Sequence, residues 1–255
     1  MQLNRRVFEI KMEKSRFESE FIGEYSPYRE KIEWANYWWD EAFSPSTGRI
    51  LLIGDSSSRF YRRTVADKLN CAVDFLGTSS TITDPIFQKE LEMFFAVEEY
   101  HYDLIHMQIG VHGIVPEGEQ NLLEDYPNYY EFYERDYRRL ILYLMGKCNR
   151  LVLATITPVI VWKQIKNPFF SRVYARLHRK SLENIDERFD EGIRIRNEIL
   201  KKIANEYNIP VNDLYSAMST GEGKHLRHID HIHYERAAKD FFAGRLIQYY
   251  RSNQE

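Results

Sequence analysis

The sequence predicts a three-layer α/β/α sandwich built on a parallel sheet of five strands. Two observations carry that expectation. Five short apolar runs, at 49–54, 72–76, 103–109, 150–156 and 209–214, each end in a polar or glycine-bearing turn, as buried strands do. Longer segments with apolar residues at helical spacing lie between them, and regular alternation of strand and helix means parallel strands covered on both faces. No internal repeat or linker interrupts the series, so one domain is expected. Residues 1–48 read as an aromatic-rich helical extension packed on the core, and 49–255 as the main domain.

Within the extension, Ile32 to Phe43 holds Trp34, Tyr37, Trp38, Trp39 and Phe43, whose spacing permits one apolar helical face. Such a face packs on a core; the sharper alternative makes Trp38 and Trp39 a wall for a sugar ring. After the loop 44–48, the run Ile50-Leu51-Leu52-Ile53 stops abruptly at Gly54-Asp55-Ser56-Ser57-Ser58, and a helix-compatible segment follows from Arg59 to Leu69. The second strand ends at Gly77, and a helix over 85–100 buries Phe87, Leu91, Phe94 and Phe95. The third strand closes at Gly110-Val111-His112-Gly113. A helix over 129–145 follows, with Tyr133, Tyr137, Leu140 and Leu144 on one side. The interval 157–186 exceeds an ordinary connection; its Arg172, Arg176, Arg179 and Lys180 read as a solvated extra helix rather than a lid or a basic patch for an anionic substrate or partner. A helix carrying Phe189, Ile193, Leu200, Ile203 and Tyr207 precedes the fifth strand, and the last helix spans 234–250.

Composition narrows the partners. A net charge of −3 provides no basic field for nucleic acid. No apolar run approaches the ~18 residues of a membrane span, and the charged N-terminus has no signal-like core, so a cytoplasmic protein is expected. Cys71 and Cys148 form neither a disulfide framework nor a CxxC site and suit a reducing compartment.

The chemistry-bearing residues gather at strand ends. In a parallel sheet the carboxyl ends converge on one edge, which brings Ser56, Gly77, Gly110 and His112 toward one cleft. Asp230-His231-Ile232-His233 precedes the last helix. A serine hydroxyl is a poor nucleophile until a base takes its proton and a third group orients that base. Asp230 and His233 supply such a pair. Ser57 and Ser58 read as helix-capping residues.

Taken in order, Gly54-Asp55-Ser56, Gly77, Gly110-Val111-His112 and Asp230-x-x-His233 resemble the sequence blocks of the SGNH/GDSL esterase superfamily. The stretches WANYWWDEA, ATITPV and VNDLY are similar to bacterial, carbohydrate-esterase-like members. The resemblance implies a flavodoxin-like fold and a serine esterase that removes small acyl groups, O-acetyl above all, from a carbohydrate or small-molecule ester. It implies Ser56, Asp230 and His233 as the triad, and Ser56, Gly77 and His112 as the oxyanion site. Asp55 and Gly110, with Trp38 and Trp39, are then the substrate-facing set. One departure stands out: His112 and Gly113 occupy positions where the family has Asn and Asp. An imidazole N–H donates to an oxyanion as an amide does, and it can also become cationic.

Three rival readings stand beside this one. The same triad serves an O-acyltransferase when a sugar hydroxyl replaces water, and the fold alone would serve a non-catalytic carbohydrate binder. His225, His228, His231, His233 and Asp230 have the chemistry of zinc ligands. They lie on an irregular loop, however, so neither a metal nor a cofactor is expected.

Overall fold

The structure, a computed structural model, describes residues 34–42, 48–97, 100–114, 128–159, 187–229 and 232–252. In chain order the elements are β1 (Ala35–Trp38), β2 (Ile50–Gly54), α1 (Ser56–Leu69), β3 (Val73–Thr78), α2 (Pro85–Val97), β4 (Leu104–Gln108) and α3 (Tyr129–Met145). β5 (Leu151–Ala154), α4 (Glu187–Glu206), β6 (Val211–Asn212), α5 (Leu214–Ser219) and α6 (Ala238–Arg251) follow. One sheet of six strands has the order β1-β3-β2-β4-β5-β6. All five expected parallel strands are present, β2 to β6. The sixth, β1, pairs antiparallel on the outer edge of β3. Leaving β1 aside, the second parallel strand lies outside the first and the rest follow outward in order. That is the flavodoxin-like arrangement, and its chain direction reverses between β2 and β4, where such sheets open a crevice at their carboxyl ends.

The period of two along each strand sorts the core into two layers. Leu51, Ile53, Ile105, Met107 and Leu153 point to one face and pack with Phe87, Phe94, Tyr137, Leu140 and Ile203 from α2, α3 and α4. Their neighbours Ile50, Leu52, Leu104 and Val152 point to the other and meet Tyr61, Val65, Phe242 and Leu246 from α1 and α6. Each fully buried side chain of this size contributes roughly 1.5–3 kcal/mol. Cys148 is buried and Cys71 partly so, both as free thiols.

The segment expected as a helix over Ile32 to Phe43 is corrected by β1. Its register runs from Ala35 against Thr78 to Trp38 against Phe75. Covering the edge of β3 satisfies peptide groups that an open edge would leave bare. Aromatic residues also suit a pleated, half-buried strand. Alternation then separates the tryptophans. Trp34 and Trp38 face α1, where Arg59 and Arg62 lie over their rings at 5.3 and 4.8 Å. Tyr37 and Trp39 face α2, with Trp39 stacked on Phe94 at 4.8 Å. The rest of the expected extension before residue 34, and residues 160–186 with their arginines, lie outside the described residues.

At the amino-terminal end of the sheet a buried ion pair ties these layers together. Arg49 Nη1 donates to Asp74 Oδ1 at 2.6 Å, and Tyr102 donates its hydroxyl to Asp74 Oδ2 at 2.9 Å. The Asp40 N–H donates to Asp74 Oδ1 at 2.8 Å, and Arg49 also donates to the Asp40 carbonyl at 2.8 Å, anchoring the chain just after β1. Among the described residues no helix is long and apolar enough to cross a membrane.

Candidate active site

The first turn of α1 sets the geometry of Ser56. Asp55 leaves β2 in an extended conformation and caps the helix, its Oδ1 accepting the Ser57 N–H at 2.8 Å. The cap is therefore Asp55 rather than Ser57 or Ser58. Ser58 is buried and donates its hydroxyl to Gln108 Oε1 at 3.4 Å. With Asp55 as the cap, Ser56 occupies the first helical position, where its N–H has no intrahelical partner and the helix end favours negative charge. Gly54 makes the turn possible: a Cβ there would lie 2.2 Å from Ser58 Oγ and 2.5 Å from the Gln108 carbonyl oxygen. Asp55, expected to face substrate, is 3% exposed and lies beneath the turn. Burial pushes its carboxyl above the ordinary range, against the pull of His112, the hydrogen bonds from Ser57 and the pull of His233. One buried carboxyl thus feels both imidazoles of the site.

His233 arrives from the opposite side of the crevice. The chain from Arg227 to Glu235 doubles back on itself, with Ile229 N–H donating to the His233 carbonyl and Glu235 N–H to the Arg227 carbonyl, each at 2.8 Å. Tyr234 donates its hydroxyl to the Pro158 carbonyl at 3.1 Å, which fixes this hairpin beside the end of β5. His228 lies 3.0 Å from the same carbonyl by Nε2 and stacks on Tyr234, so it supports the hairpin. The result is a hydrogen bond of 2.6 Å between Ser56 Oγ and His233 Nε2, joining residues 177 apart in sequence. Asp230 and His231 lie outside the described residues.

The third loop, after β4, bends at two glycines. Gly110 has φ +124 and Gly113 φ +63, conformations that side chains disfavour. Between them His112 is half-buried, its ring edge-on to Trp34 at 6.4 Å. The Gly110 carbonyl, expected near substrate, instead accepts from Arg196 Nη1 at 2.7 Å. Arg196 was not among the expected site residues, although it falls three residues after Ile193 and four before Leu200, on the buried face of α4. Its neighbour Asn197 holds the loop after β5, accepting the Ile156 N–H at 2.8 Å and donating to the Ile156 carbonyl at 3.0 Å.

Gly77 is not brought to Ser56 in the expected manner. It pairs with Asn36 on β1 inside the sheet. Two flanking bonds fix which way its peptide points. Ile50 donates to the Ala72 carbonyl on the β2 side, and Ser79 donates to the Trp34 carbonyl on the β1 side. Peptide groups alternate along a strand, so Gly77, like Ser79, directs its N–H to β1 and away from Ser56. Its lack of a side chain serves packing: a Cβ would lie 2.3 Å from the Phe75 ring and 3.2 Å from Trp34.

The same register decides which tryptophan borders the crevice. β1 runs against β3, so Trp34 at its start lies at the carboxyl edge, beside Ser79, His112 and Arg59. Trp38 and Trp39, expected to bind substrate, lie further down the sheet. Trp38 is exposed but donates its indole N–H to Asp40, and Trp39 belongs to the α2 layer.

No protein-family model matches this sequence, and no curated protein matches it. Solved structures do match in shape. A lipase/acylhydrolase from Enterococcus faecalis aligns with a TM-score of 0.53 at 14% identity, over 80% of this chain and 95% of its own. The acetylxylan esterase Axe2 from Geobacillus stearothermophilus gives 0.52 at 15%, over 81% and 95%. A member of the lipolytic G-D-S-L family from Veillonella parvula gives 0.51 at 17%, over 79% and 97%. The chain has the fold of the SGNH hydrolases, and among the described residues its sheet has five parallel strands and one antiparallel strand, β1.

Proposed function

We propose that this protein is a serine esterase that removes small acyl groups, acetyl in particular, from a carbohydrate or small-molecule ester through an acyl-enzyme. The observation that carries the reading is the 2.6 Å hydrogen bond from a strand-end serine at a helix N-terminus to an imidazole nitrogen. A hydroxyl in this position is set up to lose its proton to His233 Nε2 as it attacks an ester carbonyl. The oxyanion that forms is met by the Ser56 N–H and the His112 imidazole. The tetrahedral species collapses as the imidazolium of His233 gives its proton to the departing alcohol oxygen. Water then attacks the acyl group, His233 takes its proton, and the carboxylic acid leaves with Ser56 restored.

Asp230 orients the second nitrogen of His233 in this reading, on the strength of the Asp-x-x-His spacing. Asp55 adds a second influence. Whenever it is ionised it lies near enough to favour the cationic state of His233 in the transition state. Trp34, rather than Trp38 or Trp39, forms the apolar wall on which a sugar or acyl group would lie. The likeness in fold to acetylxylan esterases suggests an O-acetylated oligosaccharide as the first natural substrate to try.

The test is turnover of 4-nitrophenyl acetate and of acetylated xylo-oligosaccharides, beside longer nitrophenyl esters. The Ser56→Ala variant should fall by about 10³-fold or more in kcat while folding normally. Wild-type turnover in that variant would overturn the assignment, and product analysis with added oligosaccharide separates hydrolysis from acyl transfer.

A further inference from the structure

One buried cation gathers three carbonyls of the third loop. Arg196 is 1% exposed, yet its charge faces carbonyls rather than a carboxylate. Nη1 donates to the carbonyls of Gly110 (2.7 Å) and His112 (2.6 Å); Nη2 donates to the Gly113 carbonyl (2.6 Å) and the Tyr129 hydroxyl (2.7 Å). These bonds account for all the N–H groups on the two terminal nitrogens. The guanidinium also lies over the Tyr133 ring at 4.7 Å and the Tyr129 ring at 5.7 Å. A buried charge is tolerated only when such bonds replace its hydration.

The carbonyls it collects belong to the loop that carries His112, whose two glycine bends have no preference for this path over others. An N–H donor works on an oxyanion only when fixed in advance. We propose that Arg196 is a positioning residue for the esterase reaction: it clamps the main chain on both sides of His112 and so aims the imidazole at the oxyanion. The inference rests on the esterase reading of Ser56 and His233. It also gives the departure at Gly113 a physical account. Where a side chain at that position is absent, the loop is ordered from outside, by a planar cation reaching in from α4. Lysine does not substitute, because an ammonium cannot spread fixed donors over three carbonyls and a hydroxyl.

The experiment is a mutant cycle on purified full-length protein with 4-nitrophenyl acetate. Arg196→Lys should lower kcat by about 10²-fold, since misplacement on the order of 1 Å has that effect, with KM held within about threefold. His112→Ala should lower kcat by about 10²–10³-fold. The double variant should be no slower than His112→Ala alone, because a residue acting through His112 has nothing left to position. Tyr129→Phe, which removes one anchor of the guanidinium, is the milder probe if Arg196→Lys does not fold. It should slow kcat severalfold in the wild-type background and not at all beside His112→Ala. Additive losses in either cycle, or a loss confined to KM, would overturn the proposal. Failure of the underlying reading looks different: the wild type would then turn over no ester, and Ser56→Ala would change nothing.

Discussion

In the sheet below the Ser56 turn, His106 on β4 makes a prediction about acid stability that can be worked from the structure. Its ring is buried, with Nε2 facing Asn212 Nδ2 at 3.2 Å and Nδ1 facing the Tyr61 hydroxyl at a long 3.5 Å. Arg245 Nε donates to Asn212 Oδ1 at 2.9 Å, which fixes the amide so that its NH₂ group points at the histidine. The imidazole must therefore accept at Nε2 and be neutral. Protonation would set two donors against each other. Burial accordingly pushes its pKa down to about 3 from the ordinary 6.5. Between these limits the unfolded chain binds a proton that the folded chain refuses, so stability rises with pH across the window and is lost as pH falls. The slope is about 1.4 kcal/mol per pH unit, or about 2.7 kcal/mol lost by about pH 4.5. For a chain of this length that is about 5–10 °C in Tm. Other groups titrate there too, so the assay is the difference between wild type and His106→Gln in urea unfolding from pH 7 downward. Glutamine is neutral throughout. The variant should be less stable by about 1–3 kcal/mol at neutral pH, and the gap should close as pH falls. A gap that stays constant would show that the histidine takes up its proton inside the fold and refute the reasoning.

Two substitutions test the placements that register decided. Gly77→Ala should reduce stability by about 1–3 kcal/mol through collision with Phe75, with kcat of the folded protein within severalfold of wild type. A drop of about 10²–10³-fold in kcat at unchanged stability would return the Gly77 N–H to the oxyanion site. Trp34→Ala should raise KM about 3–10-fold for acetylated oligosaccharides, as loss of a ring contact does, while 4-nitrophenyl acetate hydrolysis changes little. Equal losses on both substrates would mean that Trp34 supports His112 rather than carrying the sugar.

The five parallel strands and the Gly-Asp-Ser turn were legible because their signals are local. A run of apolar residues that ends in a turn needs no partner to be recognised, and convergence at one edge follows from parallel pairing. The residues around Trp34 were not, since aromatic residues three and four apart satisfy a helical face as readily as two faces of a strand. Which one forms depends on the free edge of β3, a long-range fact. Gly77 shows the same limit more sharply. Its position after an apolar run is plain in the sequence, but the direction of its N–H depends on which neighbour each alternate peptide meets. Arg196 was hidden differently. Its place on the buried face of α4 was open to periodicity, yet arginine inside a core is rare enough that only the three carbonyls of the third loop explain it.

These features connect through the antiparallel edge strand. A parallel strand in the place of β1 would begin at the amino-terminal end of the sheet and deliver its last residue to the crevice. β1 runs the other way, so Trp34, the residue just before it, reaches the carboxyl edge while the segment after Trp38 reaches the amino end. There Asp40 is held by Arg49 and Asp74, two groups with 2% and 0% side-chain exposure. The buried ion pair is far from Ser56 in the sheet, yet it fixes the lower end of the strand whose upper end places Trp34 beside His112. Breaking one partner of a buried pair destabilises strongly, because the other is left charged and unmatched. The strand register and the wall of the crevice therefore share one anchor. The tryptophan on the edge strand and the arginine on α4 approach His112 from opposite sides: one meets its ring, the other holds its main chain.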